Sequence, residues 1–253
     1  MAVTVQMLWI VCPLALLGGF VDAIAGGGGL ISLPAYYLAG LPASVAAGTN
    51  KLSATMGTVL AAYNYKRSGK INRGVGIPAA IGALVLSAMG VLVMKQLPDR
   101  TVRLLVACCI PIAAVFTLRG RRQHGCCKQF SARRTLAVSL GIGCLIGFYD
   151  GLVGPGTGTF LILLFVHIFG MDDVDASGTA KLVNLASNVA ALTSLLTTGD
   201  VLFLLGLPAG VCSMVGGFLG SRLTIRSGGK LVRMMMICVL ILLLAKMITD
   251  MLQ

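Results

Sequence analysis

The hydrophobic positions of this chain gather into ten apolar stretches separated by short polar or glycine-rich intervals. They cover about 5–24, 29–40, 45–65, 74–95 and 101–118, then 135–153, 157–170, 176–196, 202–221 and 231–250. Most approach the roughly 20 residues that carry a helix across a bilayer. The second stretch of each set of five has only about 12–14 residues, which suits a re-entrant or half-helix segment. The pattern predicts an all-α polytopic membrane protein.

The two sets are copies of one design. GGFVDAIAGGGG (18–29) aligns with IGFYDGLVGPGT (146–157), placing Gly19 on Gly147, Phe20 on Phe148, Asp22 on Asp150, Gly26 on Gly154 and Gly28 on Gly156. AAGTNKLSAT (46–55) aligns with ASGTAKLVNL (176–185), placing Thr49 on Thr179 and Lys51 on Lys181. Glycine matches are cheap in a glycine-rich chain, but Asp and Lys matches are not where there are eight acids and no glutamate. The chain divides into a first transmembrane repeat, 1–118, a basic linker, 119–134, and a second repeat, 135–253.

Basic residues sit in the intervals: Lys66, Arg67, Lys70 and Arg73; Arg119, Arg121, Arg122, Lys128, Arg133 and Arg134; and Arg222, Arg226, Lys230 and Arg233. Short basic loops beside spans follow from the positive-inside rule and attract anionic lipid headgroups. The net charge of +12 therefore predicts a membrane setting and no nucleic-acid partner. If the three loops face the cytoplasm and the short segments form in-and-out hairpins, the third segments run in opposite senses. The repeats are then inverted, with both termini outside. Inverted repeats interrupted by Gly or Pro at matching places mark secondary transporters.

Composition agrees: 57% of residues are hydrophobic and 11% charged, against about 45–50% and 25% in soluble domains. Six of the eight cysteines lie in apolar stretches, and Cys126 and Cys127, beside His124, lack the C-x-x-C spacing of a metal site. No metal or other cofactor is predicted. The apolar N-terminus ends in Ala23-Ile24-Ala25, a small-x-small form, but no Lys or Arg precedes it. It is expected to be a retained structural segment and not a cleaved signal.

Polar residues inside the apolar stretches carry the candidate chemistry. Gly26, Gly27, Gly28 and Gly29, with Gly154, Gly156 and Thr157, expose backbone N–H groups where a new helix starts, and helix N-termini suit negative groups. Pro155 breaks the second run, and Thr159 adds a hydroxyl. Lys51 and Lys181 stand near helix beginnings, the wrong end of the dipole for a cation unless an anion lies between. Thr49 and Asn50 adjoin Lys51, and Thr179 adjoins Lys181. Lys181, Asn184 and Asn188 share a helical face with Ser177, as Lys51, Thr55 and Thr58 do in the first half. Asp22 and Asp150 are the acids within predicted spans, so each is a candidate coupling site for a proton or cation, or a partner for a lysine within its half or across the repeat.

These motifs, GGFVDAIAGGGGLISLP with AGTNKL and GFYDGLVGPGTG with SGTAKL, resemble the sulfite exporter TauE/SafE family of membrane permeases from about residue 8 to 250. The resemblance implies a carrier of small, often sulfur-containing anions such as sulfite or sulfonates, in the bacterial cytoplasmic membrane. The residues and the resemblance together predict a secondary transporter of a small anion, coupled to a proton or cation. An anion channel is the close alternative. An intramembrane enzyme is disfavoured because no G-x-G-D surrounds Asp22 and neither H-E-x-x-H nor G-x-S-x-G occurs. A sensor subunit is disfavoured because no soluble output module is visible.

Overall fold

The computed structural model describes residues 3–98 and 130–235, together with 237, 238 and 241. The predicted stretch 101–118, most of the basic linker and most of 231–250 lie outside them. Among the described residues eight helices follow one another: α1 (Val5–Ala25), α2 (Gly29–Leu38), α3 (Ala43–Arg67), α4 (Arg73–Met94), α5 (Ala132–Leu152), α6 (Thr157–Phe169), α7 (Asp173–Thr197) and α8 (Phe203–Ser227). The chain is helical again over 229–235.

Predicted and observed bounds differ by a few residues, with one larger departure. Helix α8 continues to Ser227, beyond the predicted end at 221, and carries Arg222 and Arg226 in its last turns. Long basic side chains reach the interface from a helix end, so their charge does not stop the helix. The second segments are short, as expected. At 1.5 Å per residue α2 and α6, of 10 and 13 residues, reach about 15 and 20 Å, less than the ~30 Å hydrocarbon core.

Helices α1, α4, α5 and α8 are long and apolar enough to cross a membrane. Each packs by a small-residue face and turns large side chains outward. On α4, Gly76, Ala79, Ala83, Ser87 and Gly90 are buried, while Ile77, Ile81, Leu84, Val85, Met89 and Leu92 are exposed. On α8, Ala209, Ser213, Gly216 and Gly220 are buried, and Leu204, Leu207, Val211, Val215 and Leu219 are exposed. Exposed apolar surface on this scale needs a lipid solvent, where small residues let helices approach. The approach is backbone to backbone: a Cβ on Gly151 would meet the Ser87 carbonyl, and one on Gly216 the Leu16 carbonyl.

Helix α1 packs on α8 and α5 on α4, while α3 and α7 touch each other between these pairs. Many contacts recur in both halves. Thr49 Oγ1 accepts from Leu202 N–H and Thr179 Oγ1 from Asn72 N–H, each at 3.0 Å. Gly206 lies against Thr49 and Leu52, and Gly76 against Thr179 and Leu182.

Candidate functional site

The site is built where α1 and α5 stop partway through the protein. Gly26 ends α1 in the left-handed region, φ 76°, and donates its N–H to the Asp22 carbonyl. A helix that ends in the interior must have its last carbonyls satisfied there. Tyr65 donates to Ala23 O at 2.9 Å, Ser177 to Ile24 O at 2.7 Å and Thr159 to Ala25 O at 2.7 Å. In the second half two left-handed glycines, Gly154 (φ 88°) and Gly156 (φ 84°), flank Pro155, and Tyr149 OH donates to Pro155 O at 2.8 Å. The two breaks meet. Gly26 lies directly on Gly158, so that a Cβ on either would strike the other's backbone, and Gly29 lies beside Pro155.

Both intramembrane acids are paired, and both pairs cross between the halves. Lys51 Nζ is 2.7 Å from Asp150 Oδ2, and Lys181 Nζ is 2.7 Å from Asp22 Oδ2. The remaining carboxylate oxygens take donors from the helix starts: Gly28 N–H to Asp22 Oδ1 at 3.3 Å, and Thr157 Oγ1 to Asp150 Oδ1 at 2.8 Å. Lys51 also donates to Asn188 Oδ1 at 2.9 Å, and Asn188 Nδ2 to Asn184 Oδ1 at 3.3 Å. The Lys181 side chain is fully buried, whereas Lys51 retains 11% of its exposure. A lysine near a helix start is thus compensated by a carboxylate of the other half.

A cavity of about 60 Å³ opens beside these pairs, larger than the ~10–15 Å³ that one water requires. Of the predicted residues, Asp22, Gly26, Gly28, Gly29, Asn50, Lys51, Asp150, Gly154, Thr157 and Asn184 line it. Gly27, Gly156, Thr49, Thr179 and Lys181 are not in its wall. Thr49 and Thr179 instead hold the first turns of α8 and α4, and Lys181 lies behind Asp22. Thr159 and Ser177 cap α1 carbonyls. The amides expected to face a solute are partly committed too: Gly28 N–H to Asp22, and Leu30 and Ile31 N–H to the Gly27 and Gly28 carbonyls.

Sequence reasoning missed part of the wall. Gly18, Gly19, Gly57 and Ser213 line the cavity; Gly19 matches Gly147 and Gly18 adjoins it, while nothing in the sequence points to Gly57 or Ser213. Ser32 and Ser53 line it as well. Ser53 Oγ accepts from the fully buried Tyr36 OH at 2.7 Å and donates to Asn50 O at 3.0 Å. Nothing in the apolar run 29–40 marks Tyr36 as a buried anchor.

A family model described as "Sulfite exporter TauE/SafE" matches residues 11–247. The chain is 35% identical over 237 residues to a "Probable membrane transporter protein ORF9" of Sinorhizobium sp, covering 93% of this chain and 90% of that protein. It is 30% identical to a "Probable membrane transporter protein" of Haemophilus influenzae, covering 99% and 98%. It is 33% identical to "Probable membrane transporter protein YfcA" of Escherichia coli K12, covering 98% and 94%. No solved structure matches it.

Proposed function

Because the chain belongs to the sulfite exporter TauE/SafE family of membrane transporters, we propose that it is a secondary carrier of a small anion, such as sulfite or a sulfonate. We place it in the bacterial cytoplasmic membrane with both termini outside. The observation that carries this reading is the cavity at the meeting of the two helix breaks, where Lys51 is the accessible cation. Cavity size favours a solute of a few heavy atoms, and irregular backbone at membrane depth belongs beside such a space.

The exchanged contacts support inverted repeats. When one half's α1 meets the other's α8, and α5 meets α4, each half offers the same surfaces to its mate, as across a two-fold axis. An axis in the membrane plane turns the halves over. Lys51 and Lys181, eight residues into α3 and α7, then lie about 12 Å from opposite faces of the hydrocarbon core, flanking its middle. Access alternates as one repeat bundle rocks against the other.

The test is uptake into proteoliposomes across sulfite, sulfonates and carboxylates, with counterflow to separate a carrier from a channel. Saturable flux with counterflow is expected from the wild type, and its loss in Lys51→Ala and Lys181→Ala. Undiminished flux in both variants removes the lysines from the mechanism.

A further inference from the structure

The donors that an entering anion needs already hold the chain's own carboxylates. Lys181 and the Gly28 amide hold Asp22, and Lys51 and Thr157 hold Asp150. Two ammonium groups and two carboxylates sum to zero, so this set offers a solute no net charge. Adding an uncompensated anion to a buried site is costly. The titratable residues in the cavity wall are Asp22 from α1, Lys51 from α3 and Asp150 from α5, with Lys181 of α7 behind Asp22. None of the wall residues from α2, α6 and α8 is titratable. Among residues described on α4, which packs on α5, there is no acid, and Arg73 stands at its start.

The same wall holds two polar side chains with nothing to bind. Asn50 is 8% exposed and Thr58 2%, and neither Asn50 Oδ1 nor Thr58 Oγ1 has a hydrogen-bond partner. Both line the cavity on the helix that carries Lys51. A hydroxyl left open in the interior loses hydrogen-bond energy that a ligand oxygen restores, and an open amide oxygen loses energy that only an O–H, from a ligand or a water, restores.

Building on the carrier reading above, we propose that the cavity takes a small, singly charged oxyanion together with one proton. The anion takes Asp150's place on Lys51 Nζ, another of its oxygens accepts from the Thr58 hydroxyl, and Asn50 Oδ1 accepts from a protonated oxygen of the solute or from a water carried with it. Asp150 gives up the lysine and binds the proton as a neutral acid. Two ammonium groups then face one carboxylate, Asp22, and one solute anion, so the site stays neutral. Thr157, whose Oγ1 is also 2.6 Å from Gly154 O, turns its hydroxyl to that carbonyl as Asp150 leaves.

The experiment uses the full chain in proteoliposomes, with methanesulfonate and sulfite as probes, an internal pH dye, and a membrane potential set by potassium and valinomycin. One proton is expected to enter with each methanesulfonate, and a potential of about 100 mV should change the flux less than about twofold, since no net charge crosses. Asp150→Asn should move anions without protons and respond to the potential. Thr58→Val should raise KM about tenfold, as expected for a lost hydrogen bond to a charged group, and Asn50→Ala should raise it by a smaller factor, each with one proton per anion retained. Wild-type flux that carries net charge, or unchanged KM in both wall variants, overturns the proposal while leaving the carrier standing. Absence of saturable flux for every anion removes both. Should Asp150→Asn fail to insert, the wild-type ratio of charge to protons decides alone.

Discussion

The wall of the cavity and its counterpart in the other half occupy matching positions with unlike chemistry. On the cavity side stand Gly18, Ser32, Asn50 and Ser53. The repeat places Ile146, Phe160, Ala180 and Val183 opposite them, and these pack in the main hydrophobic core with Leu161 and Ile24. The lysines follow the same division, since Lys51 borders the space and Lys181 has no exposure at all, whereas the carboxylates reverse it: Asp22 keeps 19% of its exposure and Asp150 3%. The matched lysines and aspartates alone would suggest two equal sites, but the side chains around them leave a cavity on one side and close packing on the other.

The largest expected effect tests that inequality. Lys51→Ala leaves Asp150, whose side chain is 3% exposed, without its partner and should cost about 3–5 kcal/mol. Lys181→Ala should cost clearly less, because Asp22 keeps 19% of its exposure and water can reach it from the cavity. Thermal unfolding in detergent measures both, and equal losses would show that accessibility has no energetic weight. Gly18→Ile puts the other half's residue into the cavity wall. A Cβ there already lies 3.2 Å from Gly28 O and Ser32 Cβ, so about 1–3 kcal/mol of overpacking is expected, with anion flux falling more than tenfold. A folded variant with normal flux would place the solute elsewhere.

Ser53→Val makes the same transplant at the site of Val183. It takes away the acceptor of the buried Tyr36 hydroxyl and should cost about 1–2 kcal/mol, seen as a lower unfolding temperature. The smallest effect lies at the end of α7, outside both walls. Burial by itself would raise the pKa of Asp200, but bonds from Lys95, Thr198 and Ser44 and the Lys95 charge hold it below the ordinary carboxylate value. A depressed folded pKa contributes stability above the unfolded value, about 3.9, and the contribution disappears as pH falls through the folded one. Lys95→Ala should therefore cost no more than about 1 kcal/mol at neutral pH, and the difference from wild type should vanish in acid. A constant difference across that range would assign the effect to packing.

Charges inside apolar stretches were conspicuous in the sequence, and so were the Asp and Lys of each repeat and the glycine breaks. The short second helices followed from counting apolar residues. The crossing of the ion pairs did not, because either pairing satisfies the same charges and only packing of α3 against α7 selects one. Hydroxyls were the least legible. Thr49, Thr179, Ser177 and Thr159 look like solute ligands in a linear reading, yet they satisfy N–H groups and carbonyls at helix ends of the opposite half. A membrane interior imposes the same demand on both uses, since each helix end there needs a polar partner as much as a solute does. Tyr36 was hidden because an aromatic residue in an apolar run carries no sign of the face it takes.

The contact of Gly26 with Gly158 has a mechanical consequence. Bare main chain rests on bare main chain at the centre of the protein, with no side chains to interlock. For the carrier proposed above, such a junction would serve as a fulcrum about which the halves tilt, and a bulky residue at either place, meeting the opposing backbone, would act as a wedge even with every charge still present.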